Sequence, residues 1–416
     1  MLNSLRQHLK NLFWVKKPAT VLKKPAIALI TYSRFEYFSK VFQSISTQKI
    51  NGQLMSDHFD FFVFQDGLLD NETPENIKGH NEIADFLKLN FSDSNFFSQS
   101  KNLGVAFHFD FVERFLFNTQ ERPWVAFFED DLVLGQGYLE TLMCMASSFK
   151  DDDRVAMFSC FGKMFNQSIE DQLENQHALV SMEHHWGFGM HQSAWRKRQA
   201  LVDEYLKILI DLPYRERQHG RIQNWQAFCG LKVGPTSQDY AKACAVATTG
   251  CIKVSSYANF GTYIGEYGLH FTPDLYAKKG YANSNLFPVP INQTFKLDDA
   301  TYQKLLAQQQ SLTIENVSNF NQGEFRLQLI NGSFAPQNSD QWQNKSTTEA
   351  DVVAAYKIFL DRLPETRQVI TSRVGVQPEK LLASFLVAPE FRARKQLHPI
   401  IVALAKEIIE KNKASE

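Results

Sequence analysis

The chain has 416 residues, 44% apolar and 13% aromatic with 35 Phe, which is more than one average domain needs and enough for a sizeable core. A formal net charge of −1 gives no basic field for nucleic acid, and no apolar run approaches the roughly eighteen residues of a transmembrane helix. Five cysteines, odd in number and without a CxxC pair, read as reduced, mostly packed thiols of an intracellular protein rather than as a disulfide framework or zinc site.

Residues 1–25 read as a basic amphipathic arm. Leu2, Leu5, Leu9, Leu12 and Phe13 share one helical face, Arg6, Lys10, Lys16 and Lys17 lie elsewhere, and no acid precedes Glu36. Such an arm fits peripheral contact with an anionic membrane surface, or a helix docked on the domain, or a free arm. From residue 26 the texture alternates. PAIALITYSRFEYFSKVFQSI predicts a buried strand over Ile27–Ile30, a polar turn and an amphipathic helix. FDFFVFQDG is a second strand ending in an Asp-Gly turn, followed by a helical pattern near Ile83–Leu89 and a short strand before Lys101. A helix from about Val105 to Phe117 leads to the strand in PWVAFFEDDLVLGQGYLETL. Strands alternating with helices predict a doubly wound α/β sheet over 26–287. In such sheets ligands sit beyond the strand C-termini at the topological switch point. Thr31–Arg34, Gln65–Gly67, Lys101–Gly104 and Glu129–Asp131 are polar clusters at just those ends, so they are expected to converge on one rim.

The last cluster asks for an explanation, because three like charges close a buried strand. A charged, solvated turn is one reading. The other is a divalent-cation site, since Mg²⁺ or Mn²⁺ held by one or two carboxylates keeps positions for water and phosphate oxygens. If the chain stays extended, Glu129 and Asp131 face one side and Asp130 the other.

The combination of these segments resembles the nucleotide-binding half of GT-A glycosyltransferases. It is similar above all to the N-acetylglucosaminyltransferase I type, whose metal motif is also E-D-D-L followed by a helix. HHWGFGMHQSAW resembles that family's sugar-side segment, SQDYAKACA stands where its catalytic carboxylate lies, and CIKVSSYANFGTYIGEYGLHFTP resembles its closing strand and loop. The likeness covers about residues 26–280. It implies a donor site of Thr31, Arg34, Asp66, Lys101, His108, Glu129, Asp130 and Trp186. Arg34 and Asp66 would contact the nucleotide, Asp66 accepting from a uracil ring, and His108 would contact the diphosphate. Asp130 would meet sugar or ribose hydroxyls, Glu129 would support it, and Asp131 would bind Mn²⁺ or Mg²⁺, with His270 a further metal ligand from a late loop. Asp239 would be the base that deprotonates an acceptor hydroxyl, giving one in-line displacement with inversion. Trp186, Phe188 and His185 could form the sugar face.

Each of these residues also has a structural reading. Asp66 suits an Asp-Gly turn, His108 and His270 suit packed histidines, Lys101 a solvated loop, Trp186 core packing, and Asp239 a helix N-terminus. Gln238-Asp239-Tyr240 departs from the family's more acidic, Trp-rich stretch, and no secretory anchor is evident. Both departures point to a bacterial-type, cytoplasmic relative using a UDP-sugar on a glycan, lipid-linked or protein acceptor in surface-glycan or glycoprotein assembly. Two other classes compete. A sugar-phosphate nucleotidyltransferase would carry a Gly-rich phosphate loop after the first strand, and ALITYSRFEY has no glycine. A non-catalytic glycan- or partner-binding protein with a decayed site sits awkwardly with Asp66, Glu129–Asp131 and Asp239 together.

Residues 288–345 read as a polar connector with one helix, and 346–416 as a small all-α module. The module's Tyr356-x-x-Phe-Leu-x-Arg-Leu-Pro and Ala388-Pro-Glu-Phe-Arg resemble a helical domain appended to bacterial glycosyltransferases.

Overall fold

The computed structural model describes residues 23–91, 95–210, 212–267, 271–315, 346–360 and 363–388. The arm up to residue 22, His270 and the chain beyond 388 lie outside them. The chain divides into two compact units, Met1–Phe320 and Asn321–Glu416.

In the first unit, apart from a short hairpin of Lys49–Ile50 with Gln53–Leu54, the described strands are β1 (Ala26–Thr31), β2 (Asp60–Gln65), β3 (Phe96–Ser98), β4 (Trp124–Glu129), β5 (Leu132–Leu134), β6 (Val155–Ser159), β7 (Leu179–Ser181), β8 (Gly187–His191), β9 (Ile252–Ser256) and β10 (Gly261–Tyr263). Eight of the described strands form one mixed sheet in the order β3-β2-β1-β4-β8-β6-β9-β7, while β5 and β10 pair separately. β1 is parallel to both β2 and β4, and β8 runs antiparallel between β4 and β6. The fold is therefore the α/β, doubly wound mixed sheet that the alternation predicts, with a helical C-terminal unit.

The main helices of this unit are α1 (Phe35–Ser46), α2 (Pro74–Asn90), α3 (Gly104–Arg114), α4 (Tyr138–Ser148), α5 (Gln192–Leu209), α6 (Gln238–Thr248) and α7 (Asp299–Thr313). They cover both faces of the sheet, which is why its central strands are apolar without alternation. Ile27, Leu29, Ala126 and Phe128 pack on one face with Phe38 and Val41 of α1 and Leu139 of α4. Ala26, Ala28, Val125 and Phe127 pack on the other with Phe109 and Val112 of α3. α2 starts earlier than the apolar pattern near Ile83 predicts. Thr73 caps it by accepting from the Asn76 N–H, and Pro74 occupies the first turn, where its missing donor costs nothing.

The described part of the polar connector, 288–315, packs on this unit, with Ile291, Phe295 and Leu305 in its core. In the second unit, α8 (Glu349–Leu360), α9 (Arg367–Thr371) and α10 (Pro378–Val387) bury Val352, Tyr356, Leu381 and Phe385 together. Tyr356 meets Phe385 edge-on at 5.0 Å, which gives the aromatic of the Tyr356 motif a packing role. No described helix is long and apolar enough to cross a membrane.

α2 also braces the rim. A Cβ on Gly79 would lie 2.0 Å from the Ser33 carbonyl oxygen, so the helix touches the loop after β1 backbone to backbone. In an ordinary helix interior, Gly→Ala stabilises by about 1 kcal/mol. Here Gly79→Ala is expected to destabilise by about 2 kcal/mol or more, because backbone has to shift. A urea midpoint equal to or above wild type would contradict the contact.

Candidate active site at the ends of the central strands

The chain runs from β1 outward through β2 to β3, then returns to β4 on the other side of β1. The crevice between the ends of β1 and β4 is therefore the switch point of the sheet. Thr31 and Glu129 end those two strands, and the Thr31 hydroxyl donates to Asp130 Oδ2 at 2.7 Å across it.

The chain does not stay extended through the acid triplet. β4 ends at Glu129 and residues 130–131 form a turn. Asp130 and Asp131 consequently face the same group, contrary to the opposed orientation of an extended run. Arg34 Nη2 donates to Asp130 Oδ1 and, at 2.9 Å, to Asp131 Oδ2. Burial opposes the guanidinium charge, but the two carboxylates outweigh it and hold Arg34 cationic. Asp131 Oδ1 is buried with no partner among the described residues. Burial and the Asp130 charge push the Asp131 carboxyl up to about 6 against the pull of Arg34. Glu129 is raised well above the carboxylate range by burial and by Asp131, Asp239 and Asp130. Four carboxylates thus crowd a rim where, among the described residues, one guanidinium pairs directly with the triplet.

That charge excess and the orphaned Asp131 oxygen fit a divalent cation, to which Asp131 offers a buried, open donor atom. Among the described residues no group of three His, Cys, Asp or Glu side chains converges on one point. A site completed by water and phosphate oxygens needs only one or two carboxylates.

Asp66 follows the last residue of β2 and is committed to the backbone. Its Oδ1 accepts from the N–H of Gly67 at 2.9 Å and of Leu103 at 2.8 Å, and its Oδ2 from Gly104 at 2.9 Å. Gly104, at φ +71°, starts α3, so the carboxylate fixes the turn that launches this helix. Burial outweighs the three donors and raises the Asp66 carboxyl to about 6. Lys101 is exposed on the neighbouring loop, and its carbonyl abuts Gly67. His108 is buried in α3, makes no hydrogen bond or ion pair to the rim acids, and is lowered to about 4 by burial, so it is neutral.

Trp186 precedes β8, and its carbonyl accepts from the Glu129 N–H at 2.9 Å. Its ring lies parallel to His184 at 4.1 Å and to Tyr263 at 3.6 Å. Two rings this close, with no mutual contact, must lie on opposite faces, so Trp186 has no face left to stack on a sugar. The sandwich instead walls the acid cluster, since Tyr263 feels the charges of Asp131, Arg34 and Glu129. Phe188 is fully buried in the sheet and packs on Phe109 and Phe127.

Asp239 stands in the first turn of α6, capped by Ser237, whose hydroxyl accepts from Tyr240 N–H. Its Oδ1 lies 3.2 Å from His185 Nδ1 and accepts from Gln238 Nε2. Desolvation pushes the carboxyl up, but the His185 hydrogen bond and the Lys242 and Lys253 ammoniums outweigh it and hold Asp239 below the usual range. Lys242 itself is neutralised by Glu113, which also accepts from Arg198 in a fully buried cluster. Sequence reasoning missed Lys253, 3.1 Å from His185 Nε2. The available signal was a lone lysine inside the apolar strand CIKVSS. No disulfide joins the five cysteines, four of which are buried, in keeping with the packed-thiol reading.

No family model matches the chain, and no curated protein does. Among solved structures the chain is similar to the mannosyltransferase PcManGT from Pyrobaculum calidifontis in complex with GDP-Man and Mn²⁺. The identity is 14% over 60% of this chain and 61% of that one, with a TM-score of 0.28. It is also similar to GalNAc-T7 with UDP, GalNAc and Mn²⁺, at 7% identity over 56% of this chain and 43% of that one, TM-score 0.33. A third is the glycosyltransferase GlyE of Streptococcus pneumoniae TIGR4, at 8% identity over 45% and 39% of the two chains, TM-score 0.24. The chain thus spans about three fifths or less of each. None of the three is of the N-acetylglucosaminyltransferase I type, so that likeness rests on the sequence motifs alone.

Proposed function

We propose that the first unit is a metal-dependent GT-A glycosyltransferase. It would move a sugar from a nucleotide sugar, UDP-linked by the sequence resemblance, to a hydroxyl of a glycan or glycoconjugate. The observation that carries this reading is the crowding of Glu129, Asp130, Asp131 and Asp239 at the switch point, where among the described residues Arg34 is the one guanidinium paired directly with the Glu129–Asp131 triplet. Such crowding is relieved either by a proton, as the raised Glu129 carboxyl allows, or by a bound cation, and a cation there would neutralise a departing diphosphate. Asp131 would hold it. Thr31 and Arg34 fix Asp130 in place for hydroxyl contacts. Asp66 acts on the nucleotide end by setting the Lys101–Gly104 loop. Asp239 is the base: the acceptor oxygen bonds to the anomeric carbon, its proton passes to the carboxylate, and the bond from that carbon to the diphosphate breaks with inversion. The second unit is proposed as an accessory helical module, and the basic arm as a peripheral membrane contact.

Binding is measurable before any acceptor is known. UDP with Mn²⁺ is expected to raise the melting temperature by several degrees, and each alone by less, since the two bind as one unit. Equal melting curves for the apo protein and for mixtures with UDP, GDP or their sugars would remove the donor site.

A further inference from the structure

We propose that His185 and Lys253 are positioning residues that aim Asp239 at the acceptor hydroxyl through a hydrogen-bonded chain, Lys253–His185–Asp239; this rests on the glycosyltransferase reading above. Lys253 Nζ lies 3.1 Å from His185 Nε2, and His185 Nδ1 lies 3.2 Å from Asp239 Oδ1. An ammonium only donates, so Nε2 must accept and the ring proton must sit on Nδ1, pointing at Asp239. Gln238 Nε2 donates to the same oxygen. Asp239 Oδ1 is thereby occupied, while Oδ2 accepts nothing from the described residues and the side chain is 51% exposed. The carboxylate is clamped on one oxygen and open on the other, as a base aimed into a cleft requires.

The far end of the chain is also held. β9 shifts register between Ile252 and Lys253. Gln309 of α7 closes that irregularity: its Oε1 accepts from Lys253 N–H at 2.9 Å, and its Nε2 donates to Lys253 C=O at 2.8 Å and to Ser181 Oγ at 3.1 Å. A lysine in a buried strand, gripped by its own backbone on both sides, has one polar side-chain contact among the described residues, and that is His185.

Other charges face the chain. Asp239 also sees Glu129 and Lys242, His185 sees Lys242, and Lys253 sees Glu183, Arg198 and Cys244. Burial, then the Lys253 charge, lowers His185 to about 4, and burial lowers Lys253 to about 8. At pH 7 the chain is ammonium, neutral imidazole, carboxylate. A lysine with a depressed value is charged below it and neutral above it. Above about pH 8 the group that fixes the tautomer is therefore lost.

Two measurements test this. In full-length protein labelled with ¹⁵N-histidine at pH 7, long-range ¹H–¹⁵N correlation is expected to show His185 as the Nδ1–H tautomer, its signals identified by their loss in His185→Asn. Lys253→Met is expected to mix the tautomers. With a turned-over donor, Lys253→Met is expected to lower kcat about 10–100-fold with donor KM within about threefold, and to abolish an alkaline limb near pH 8. His185→Asn, whose amide can replace the Nδ1–H donor, is expected to keep more kcat than His185→Leu. A wild-type Nε2–H tautomer, or a Lys253→Met pH profile superimposed on wild type, overturns the proposal. If the Nδ1–H tautomer is found but wild type turns over no nucleotide sugar, the glycosyltransferase reading and the catalytic part of this inference fall together. The hydrogen-bonded chain then stands as measured.

Discussion

Asp131→Asn is expected to abolish sugar transfer and to leave the protein at least as stable as wild type. The two effects have one cause. Asp131 is ionised at pH 7 in a place where burial and Asp130 disfavour its charge and its Oδ1 has no partner. Removing the charge relieves Glu129, which Asp131 pushes upward, and still leaves Arg34 paired with Asp130. It also removes the cation ligand, so transfer is expected to fall by about 10²–10³-fold or more. The pH dependences should oppose each other. A carboxyl with a raised folded value binds its proton more tightly folded than unfolded, so this cluster's stability contribution falls as pH rises from about 4 to about 6. Cation affinity needs the deprotonated form and should weaken about tenfold per unit as pH falls below about 6. Thermal melts from pH 5 to 7.5, with and without Mn²⁺, check both signs. A loss of several degrees in apo Asp131→Asn would mean the carboxylate is structural.

Arg34→Met is expected to act in the opposite sense. It leaves Asp130 and Asp131, whose side chains are 5% and 7% exposed, without their counter-charge. Breaking a buried pair costs about 3–5 kcal/mol, and the 34% exposure of Arg34 scales this to about 1–3 kcal/mol. The same vacancy should make the acid pair a better cation site. Mn²⁺ alone is therefore expected to raise the melting temperature of Arg34→Met by more than that of wild type. Equal Mn²⁺ shifts in the two proteins would show that Arg34 and the cation do not share the acids.

Much of this geometry was legible along the chain. AIALIT and WVAFFE read as strands because a central strand covered on both faces has no reason to alternate. The convergence of polar strand ends follows from α/β topology itself, and the Thr31–Asp130 bond across 99 positions of sequence realises it. What stayed hidden was pairing that only the folded chain creates. Nothing local says that 130–131 turns, that Arg34 reaches back to both acids, or that Asp66 spends its oxygens on the backbone of 103–104. Trp186 among glycines looked open to a sugar, yet Tyr263, distant in sequence, closes one face and His184 the other. The Gln-rich stretch reads as a polar connector with one helix, and α7 is that helix; what its polarity hides is Gln309, a buried clamp on Lys253 rather than solvated surface.

The acids at the switch point are proposed to serve transfer from a nucleotide sugar. The most direct measurement is nucleoside diphosphate release from a panel of UDP- and GDP-sugars with Mn²⁺ or Mg²⁺, run in parallel on wild type, Asp131→Asn and Asp239→Asn. Wild type is expected to show metal-dependent release from at least one donor, Asp131→Asn none above background, and Asp239→Asn unchanged donor binding with strongly reduced release. No release by wild type from any donor, or release by Asp131→Asn at the wild-type rate, would contradict that role.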